Sequence, residues 1–276
     1  MMPHKTEDIE IKLLLEALYH RYHYDFRGYS MASVKRRIKL ARDKYNCRSY
    51  SQLQDLVLHD DTKLPGLLSF LTVQVSEMFR DPLYFKTIRE QVVPHLKTYP
   101  SLKVWIAGCS SGEELYSFAI LFREEGLEER TMFYATDINQ DALKKAESGV
   151  YDLSRIQLFT ENHQKSGGKS SLSDYYTTGY GAASFDKTLL KHVIFSDHSL
   201  TSDSVFAETQ FVSCRNVLIY FDRELQDRAL GLFKDSLIRK GFLGLGSKES
   251  LRFSPHSESF TDFAREERIY QKRSNA

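Results

Sequence analysis

The sequence predicts an α/β chain in which a small helical domain precedes a doubly wound, mostly parallel sheet. Three observations carry this. Apolar residues recur at helical spacing from Thr6 to about Phe79, a strand, a glycine turn and a helix follow one another from Lys103 onward, and short apolar strands then alternate with helices to near Leu245.

In the first stretch the apolar positions Ile9, Leu13, Leu14 and Ala17, then Val34, Ile38, Ala41 and Tyr45, mark one face of each of two helices. The second helix also carries Lys35, Arg36, Arg37, Lys39, Arg42 and Lys44 around its apolar stripe. That concentration of charge reads either as a solvated face or as a docking surface for an acidic helix. A connecting helix is expected from about Pro82 to Thr98. Next come a strand at Lys103–Ala107, the turn Gly108–Gly112 and a helix from Glu113, then a strand at Met132–Thr136 ending at Asp137, and a helix at Gln140–Ser148. Further on lie a strand at Gln210–Ser213, a helix from about Arg223 to Arg239 and a strand near Phe242–Leu245. The Gly/Ser-rich loop Ser166–Ser171 and the turn-rich stretch after Tyr175 read as a small antiparallel insertion, placed at 160–196. The expected division is a helical domain at 1–79 and a sheet domain at 80–276.

Lysine and arginine number 38 against 37 acidic residues, so the whole-chain field is too weak to point to nucleic acid or a membrane surface. Cys47, Cys109 and Cys214 lack paired CxxC spacing, which argues against a zinc or redox site and fits a reducing cytosol. No apolar run approaches the roughly 20 residues of a membrane helix, and Met1–Glu10 is not signal-like, so a cytoplasmic protein is expected. The Gly-Lys-Ser at 168–170 is not a phosphate loop, because His163 stands where its first glycine belongs.

Chemistry concentrates at three strand ends. Glu113 and Glu114 open the helix after the Gly108–Gly112 turn, where a dinucleotide pyrophosphate would be repelled. A phosphate-free cation would not be. S-adenosylmethionine, with its sulfonium and ribose diol, suits a glycine turn flanked by carboxylates better than NAD does. Asp137 ends the adjacent strand, where a carboxylate can accept ribose hydroxyls, although a residue there can instead cap the helix that follows. The third end carries Arg215 and Asn216, with Tyr220 shortly after, as a cleft phenol or a core aromatic, and Asp222 as a helix cap. Gln74, Ser76, Arg80 and Asp81 stand at the domain junction, either lining a cleft or, for Arg80 and Asp81, forming an ion pair.

Four motifs in this order resemble the chemotaxis receptor methyltransferases, the CheR family: Met78-Phe-Arg-Asp-Pro82, Gly108-Cys-Ser-Ser-Gly-Glu-Glu114 with Tyr116-Ser117, Ala135-Thr-Asp-Ile138, and Cys214-Arg-Asn-Val-Leu-Ile-Tyr-Phe-Asp222. The resemblance implies a Rossmann-like S-adenosylmethionine-dependent methyltransferase fold, an N-terminal all-helical domain and a small antiparallel β-subdomain. It also implies methyl transfer to glutamate side chains of methyl-accepting chemotaxis receptors, without a metal, by a monomer in the cytoplasm. By position, the cofactor would be held by Gln74, Ser76, Arg80, Gly108, Glu113, Asp137, Ile138, Ser199, Leu200, Arg215 and Asn216. Arg80 and Tyr220 would lie beside the methyl group, and Lys35, Arg36, Arg37, Lys39 and Arg42 would dock the receptor's helical region. The sequence departs from the family at Gln74 and at Ser199, where asparagine is usual. The insertion between Tyr176 and Phe195 is also shorter than in members whose β-subdomain grips a receptor tail. Other readings are a methyltransferase for a different acceptor, and a scaffold that binds S-adenosylmethionine without transferring its methyl group.

Overall fold

The computed structural model describes residues 6–72 and 74–274. The chain divides into two compact units. The first comprises 1–74 with the short stretches 200–203 and 220–229, and the second holds the rest.

The helical unit opens with α1 (Thr6–Tyr22), which buries Ile11, Leu14, Leu15 and Leu18. The buried stripe is therefore not the expected one, since Ile9 and Leu13 stay about half exposed. The run Leu13-Leu-Leu15 fits either phase, and only packing chooses between them. In α2 (Met31–Lys44) the buried set is Val34, Arg37, Ile38 and Ala41. α3 (Tyr50–His59) starts where Ser49 Oγ accepts the Gln52 N–H, and α4 (Leu64–Leu71) starts with a proline in its first turn.

In the second unit the expected connecting helix is interrupted: α5 (Pro82–Thr87) runs through a π turn at Ile88–Val92 into α6 (Val93–Leu96). Pro94 has no N–H to continue the ladder, which accounts for the wider turn before it. The alternation then unfolds as β1 (Leu102–Ala107), α7 (Glu113–Glu124), β2 (Thr131–Asp137), α8 (Gln140–Ser148), β3 (Val150–Asp152) and α9 (Ile156–Lys165). There follow β4 (Tyr176–Gly179), β5 (Ala182–Phe185), β6 (Val193–Asp197), β7 (Thr209–Cys214), α10 (Arg223–Ser236), β8 (Leu237–Leu245), β9 (Phe260–Ala264) and β10 (Ile269–Lys272).

The main sheet has the order β6-β2-β1-β7-β8-β10-β9. The first five strands are parallel, and β10 and β9 are antiparallel. The small sheet, β3-β5-β4, is antiparallel. Its extent differs from the expected insertion: it begins at Val150, and Val193–Asp197 pairs instead with β2 at the edge of the main sheet. Apolar residues on both sides of the central strands produce two packed faces. Val104 and Ile106 join a cluster with Phe85, Phe118, Phe122, Phe133 and Phe211. Trp105 alternates to the other face, where it meets His198, Phe206 and Phe233, and its Nε1 donates to Thr136 Oγ1 at 2.9 Å.

Candidate functional site

The carboxyl ends of β1 and β2 are tied together by backbone. The Gly108 and Cys109 N–H groups both donate to the Thr136 carbonyl, at 2.8 and 2.9 Å. Glycine is required at two points of the turn. Gly108 has φ +70° and an added Cβ would lie 2.5 Å from Val217, while Gly112 has φ +91° and its Cβ would lie 2.7 Å from the Ala146 Cβ. Between them Ser110, at φ +51°, directs its N–H to Asp137 Oδ2 at 2.9 Å.

Asp137 is nine-tenths buried, and its Oδ1 accepts the Asn139 N–H at 2.9 Å. Burial raises its carboxyl above the usual carboxylate range, against the opposing pull of the N–H groups of Asn139, Ser110 and Ile138. With those donors satisfied, a carboxylate keeps room for about one further hydrogen bond, enough for a single ribose hydroxyl. The capping role falls to Asn139, whose side chain accepts the N–H groups of Asp141 and Ala142.

The two acids that open α7 are differently engaged. Glu113 is fully buried, with Oε1 receiving Arg155 Nη1 at 2.7 Å and Oε2 receiving Ser111 Oγ at 2.8 Å. Glu114 accepts Ser213 Oγ at 2.7 Å and pairs with Arg215 at 3.2 Å. The three acids converge on one spot: burial first, then the charges of Asp137, Glu114 and Glu113, push the Cys109 thiol well up. Such a crowd of carboxylates suits a cationic, phosphate-free ligand.

Arg215, expected beside the adenosyl group, spends both of its Nη atoms on protein partners, while its buried Nε has none among the described residues. Its Nη2 donates to the Arg80 carbonyl at 2.9 Å and pairs with Asp81 at 2.7 Å, and its guanidinium lies 4.0 Å from the centre of the Tyr84 ring. Asp81 thus pairs with Arg215 and not with Arg80. The Arg80 side chain is half-buried and makes no hydrogen bond or ion pair among the described residues. Asn216, at φ +61°, gives its N–H to Glu249. The buried Glu249 also collects the N–H groups of Gly246, Val217 and Ile219. Of the nine non-glycine residues with positive φ among the described residues, Phe79, Asp81, Ser110 and Asn216 all fall in these segments, a concentration typical of functional sites.

The second unit thus brings Gly108, Glu113 and Asp137 together at neighbouring strand ends. Half-buried Ile138 follows β2, and Ser199 follows β6 by two residues. Ser76 joins through its carbonyl, which accepts from Arg155 Nη2. Gln74, Leu200 and Tyr220 belong to the helical unit. There the Tyr220 ring lies 4.3 Å from the Arg37 guanidinium, and its carbonyl accepts the Ser30 N–H.

That contact corrects one expectation. Arg37 is buried, with Nη1 on the Leu71 carbonyl at 2.6 Å, so it is not available to dock a partner. Its position three residues after Val34 and four before Ala41 places it on the packed stripe. Lys35 pairs with Asp8 and Arg42 with Asp43, while Arg36, Lys39 and Lys44 are exposed.

Arg155 and Glu249 were not foreseen. Neither stands in a motif; Arg155 reaches Glu113 42 residues away, and apart from Gly246 the partners of Glu249 lie 30 or more residues away, so no spacing signalled them. The Gly-Lys-Ser loop holds an internal anion: Glu124 accepts the N–H groups of Lys169 and Ser170 and the Ser170 hydroxyl. Among the described residues no cluster of three or more His, Cys, Asp or Glu could hold a metal ion, and no helix is long and apolar enough to cross a membrane.

Comparison with known proteins meets this geometry. The family model for the SAM binding domain of CheR methyltransferase, where SAM is S-adenosylmethionine, matches residues 74–266, and the model for the CheR all-alpha domain matches 9–72. Cher3 of Pseudomonas putida is 55% identical over 99% of this chain and 100% of its own length. The chemotaxis protein methyltransferases of Listeria innocua and Salmonella typhimurium are each 30% identical, covering 82% and 73% of this chain and 84% and 66% of their own. With both family models matched in order and a full-length relative above half identity, the chain belongs to the CheR methyltransferase family, built as an all-helical domain followed by a Rossmann-like S-adenosylmethionine-binding methyltransferase domain.

Proposed function

We propose that the protein transfers the methyl group of S-adenosylmethionine to glutamate side chains of methyl-accepting chemotaxis receptors in the cytoplasm, forming glutamyl γ-methyl esters. The observation that carries this reading is the pair of buried carboxylates, Glu113 and Asp137, at the carboxyl ends of adjacent parallel strands. Ligands of open α/β sheets bind at that edge. Acids there favour a cationic nucleoside over a dinucleotide. The names of the Listeria and Salmonella relatives favour a chemotactic acceptor.

The residues present fit the cofactor: Asp137 has acceptor capacity left for a hydroxyl, and Glu113 has an acceptor position left on each oxygen for an ammonium. S-adenosylmethionine, when bound, supplies an electrophilic methyl group. The acceptor glutamate, with a reference pKa of about 4.3, is already a carboxylate at neutral pH and needs no general base. The protein's task is alignment and removal of water from the nucleophile. Arg80, whose guanidinium is unpaired among the described residues, would orient the incoming carboxylate. Tyr220, stacked with buried Arg37, would order the pocket wall, and exposed Arg36 and Lys39 would draw the acidic receptor helix.

The test is incubation with methyl-labelled S-adenosylmethionine and receptor cytoplasmic fragments, followed by mild base. Carboxyl methyl esters release volatile labelled methanol, and mapping then identifies the glutamates. Label that is stable to base would assign another acceptor, and an absence of binding to S-adenosylhomocysteine by calorimetry would remove the cofactor site.

A further inference from the structure

We propose that Arg155 is a positioning residue for the cofactor, a role that rests on the function proposed above and adds to it the device that orients Glu113. Arg155 closes the 3₁₀ turn Leu153–Arg155 after β3, and its side chain is 31% exposed. It reaches two separate segments at once. Nη1 meets Glu113 Oε1 at 2.7 Å, and Nη2 meets the Ser76 carbonyl. Its guanidinium lies 4.8 Å from the centre of the Phe159 ring, one residue type that holds such a plane by stacking.

The geometry gives this fork a specific consequence. Glu113 has one donor on each oxygen, Arg155 on one and Ser111 on the other, so its carboxylate plane is fixed from both sides while one acceptor position per oxygen remains. The Arg155 charge offsets the burial of Glu113, so the pair attracts a cationic ligand by direction more than by net charge. The same guanidinium holds the backbone of Ser76, which lies two residues before Met78, whose carbonyl accepts from Asn162 Nδ2 at 3.1 Å. Arg155 therefore fixes the spacing between the segment leading to Arg80 and the first turn of α7. A lysine supplies one point charge and cannot serve both acceptors in a plane.

The experiment compares wild type with Arg155→Lys and Arg155→Met by calorimetry with S-adenosylhomocysteine, by methyl-transfer kinetics and by thermal melting without ligand. Expected for Arg155→Lys are a Kd for S-adenosylhomocysteine and a KM for S-adenosylmethionine each raised about tenfold, with kcat changed less than about twofold and the ligand-free melting temperature close to wild type. Arg155→Met should weaken binding further, and if it fails to fold Arg155→Lys decides alone. Wild-type Kd and KM in Arg155→Lys would overturn the role, as would a loss confined to kcat, or a loss of affinity that only mirrors a loss of melting temperature. If wild type itself does not bind S-adenosylhomocysteine, the functional reading has failed and not the role of Arg155.

Discussion

Arg215 Nη2 lies 2.7 Å from Asp81 Oδ2, so a residue at the mouth of β7 fastens the turn that presents Arg80. The arginine side chain is 1% exposed and also serves Glu114, while Tyr84 covers its face. Removing one member of a buried charge network leaves the others uncompensated, at a cost of roughly 3–5 kcal/mol. Arg215→Ala should lower stability by that amount in urea unfolding, and Arg215→Lys by less, because an ammonium keeps the charge but loses the fork and the stacking. A wild-type unfolding midpoint in Arg215→Ala would show that the network contributes nothing.

Glu249 acts through backbone alone. Its two oxygens gather the N–H groups of Gly246, Asn216, Val217, Leu218 and Ile219, and hold Asn216 in its left-handed conformation. In Glu249→Gln one oxygen becomes an NH₂ that faces donors, so stability should fall by about 1–3 kcal/mol. Turnover should fall as well, because the same segment leads into Tyr220. Unchanged kcat with lowered stability would restrict Glu249 to folding.

The central strands were readable because short runs of strand-forming residues alternate with helical patterns in strand–turn–helix order, and α8 matches its expected Gln140–Ser148 bounds. The β9–β10 hairpin was not read. Its strands carry four or five residues each and join through Arg265–Arg268 without a glycine, the turn being made by Arg268 at φ +56°. The helix expected to reach Arg239 stops at Ser236 because Leu237 starts β8, a tertiary choice that helical propensity does not encode. At the site, acids and glycines at strand ends were visible, since strand–turn–helix order places them. The residues that orient those acids were not, because Arg155 and Glu249 reach their partners only through the fold.

Asp137 ties Ser110 and Asn139 in place as well as offering an acceptor, so its replacement should be read with two instruments. Asp137→Asn is expected to weaken S-adenosylhomocysteine binding by roughly 10- to 100-fold in calorimetry, in line with about 1.5–3 kcal/mol for a hydrogen bond to a charged group. Hydrogen exchange at Ser110 should rise in the same variant. Unaltered affinity would place the ribose elsewhere.

Arg80→Ala and Tyr220→Phe separate orientation from pocket order. Loss of a guanidinium that has no hydrogen-bond or ion-pair partner among the described residues should cut kcat roughly 10- to 100-fold while cofactor affinity changes little. The phenylalanine keeps the ring over Arg37 and should cost less. Wild-type turnover in both variants, measured with labelled cofactor and receptor fragment, would take both residues out of the mechanism.

The ion cluster around Glu124 sets an acid limit on stability. Burial raises its carboxyl, but hydrogen bonds from His163 and Ser170, the His163 charge and a hydrogen bond from Arg89 outweigh it and bring the group from 4.5 down to about 2. A carboxyl depressed on folding binds fewer protons in the native state than in the unfolded one, so its stabilisation is fully present above about pH 4.5. That contribution, on the order of 3 kcal/mol, is lost as pH falls toward 2. Glu124→Gln removes the titration. The gap in urea midpoint between wild type and this variant should be wide at pH 6 and should narrow steadily below pH 4.5. A gap that stays constant down to pH 3 would mean that Glu124 stabilises the fold by packing and not by its charge.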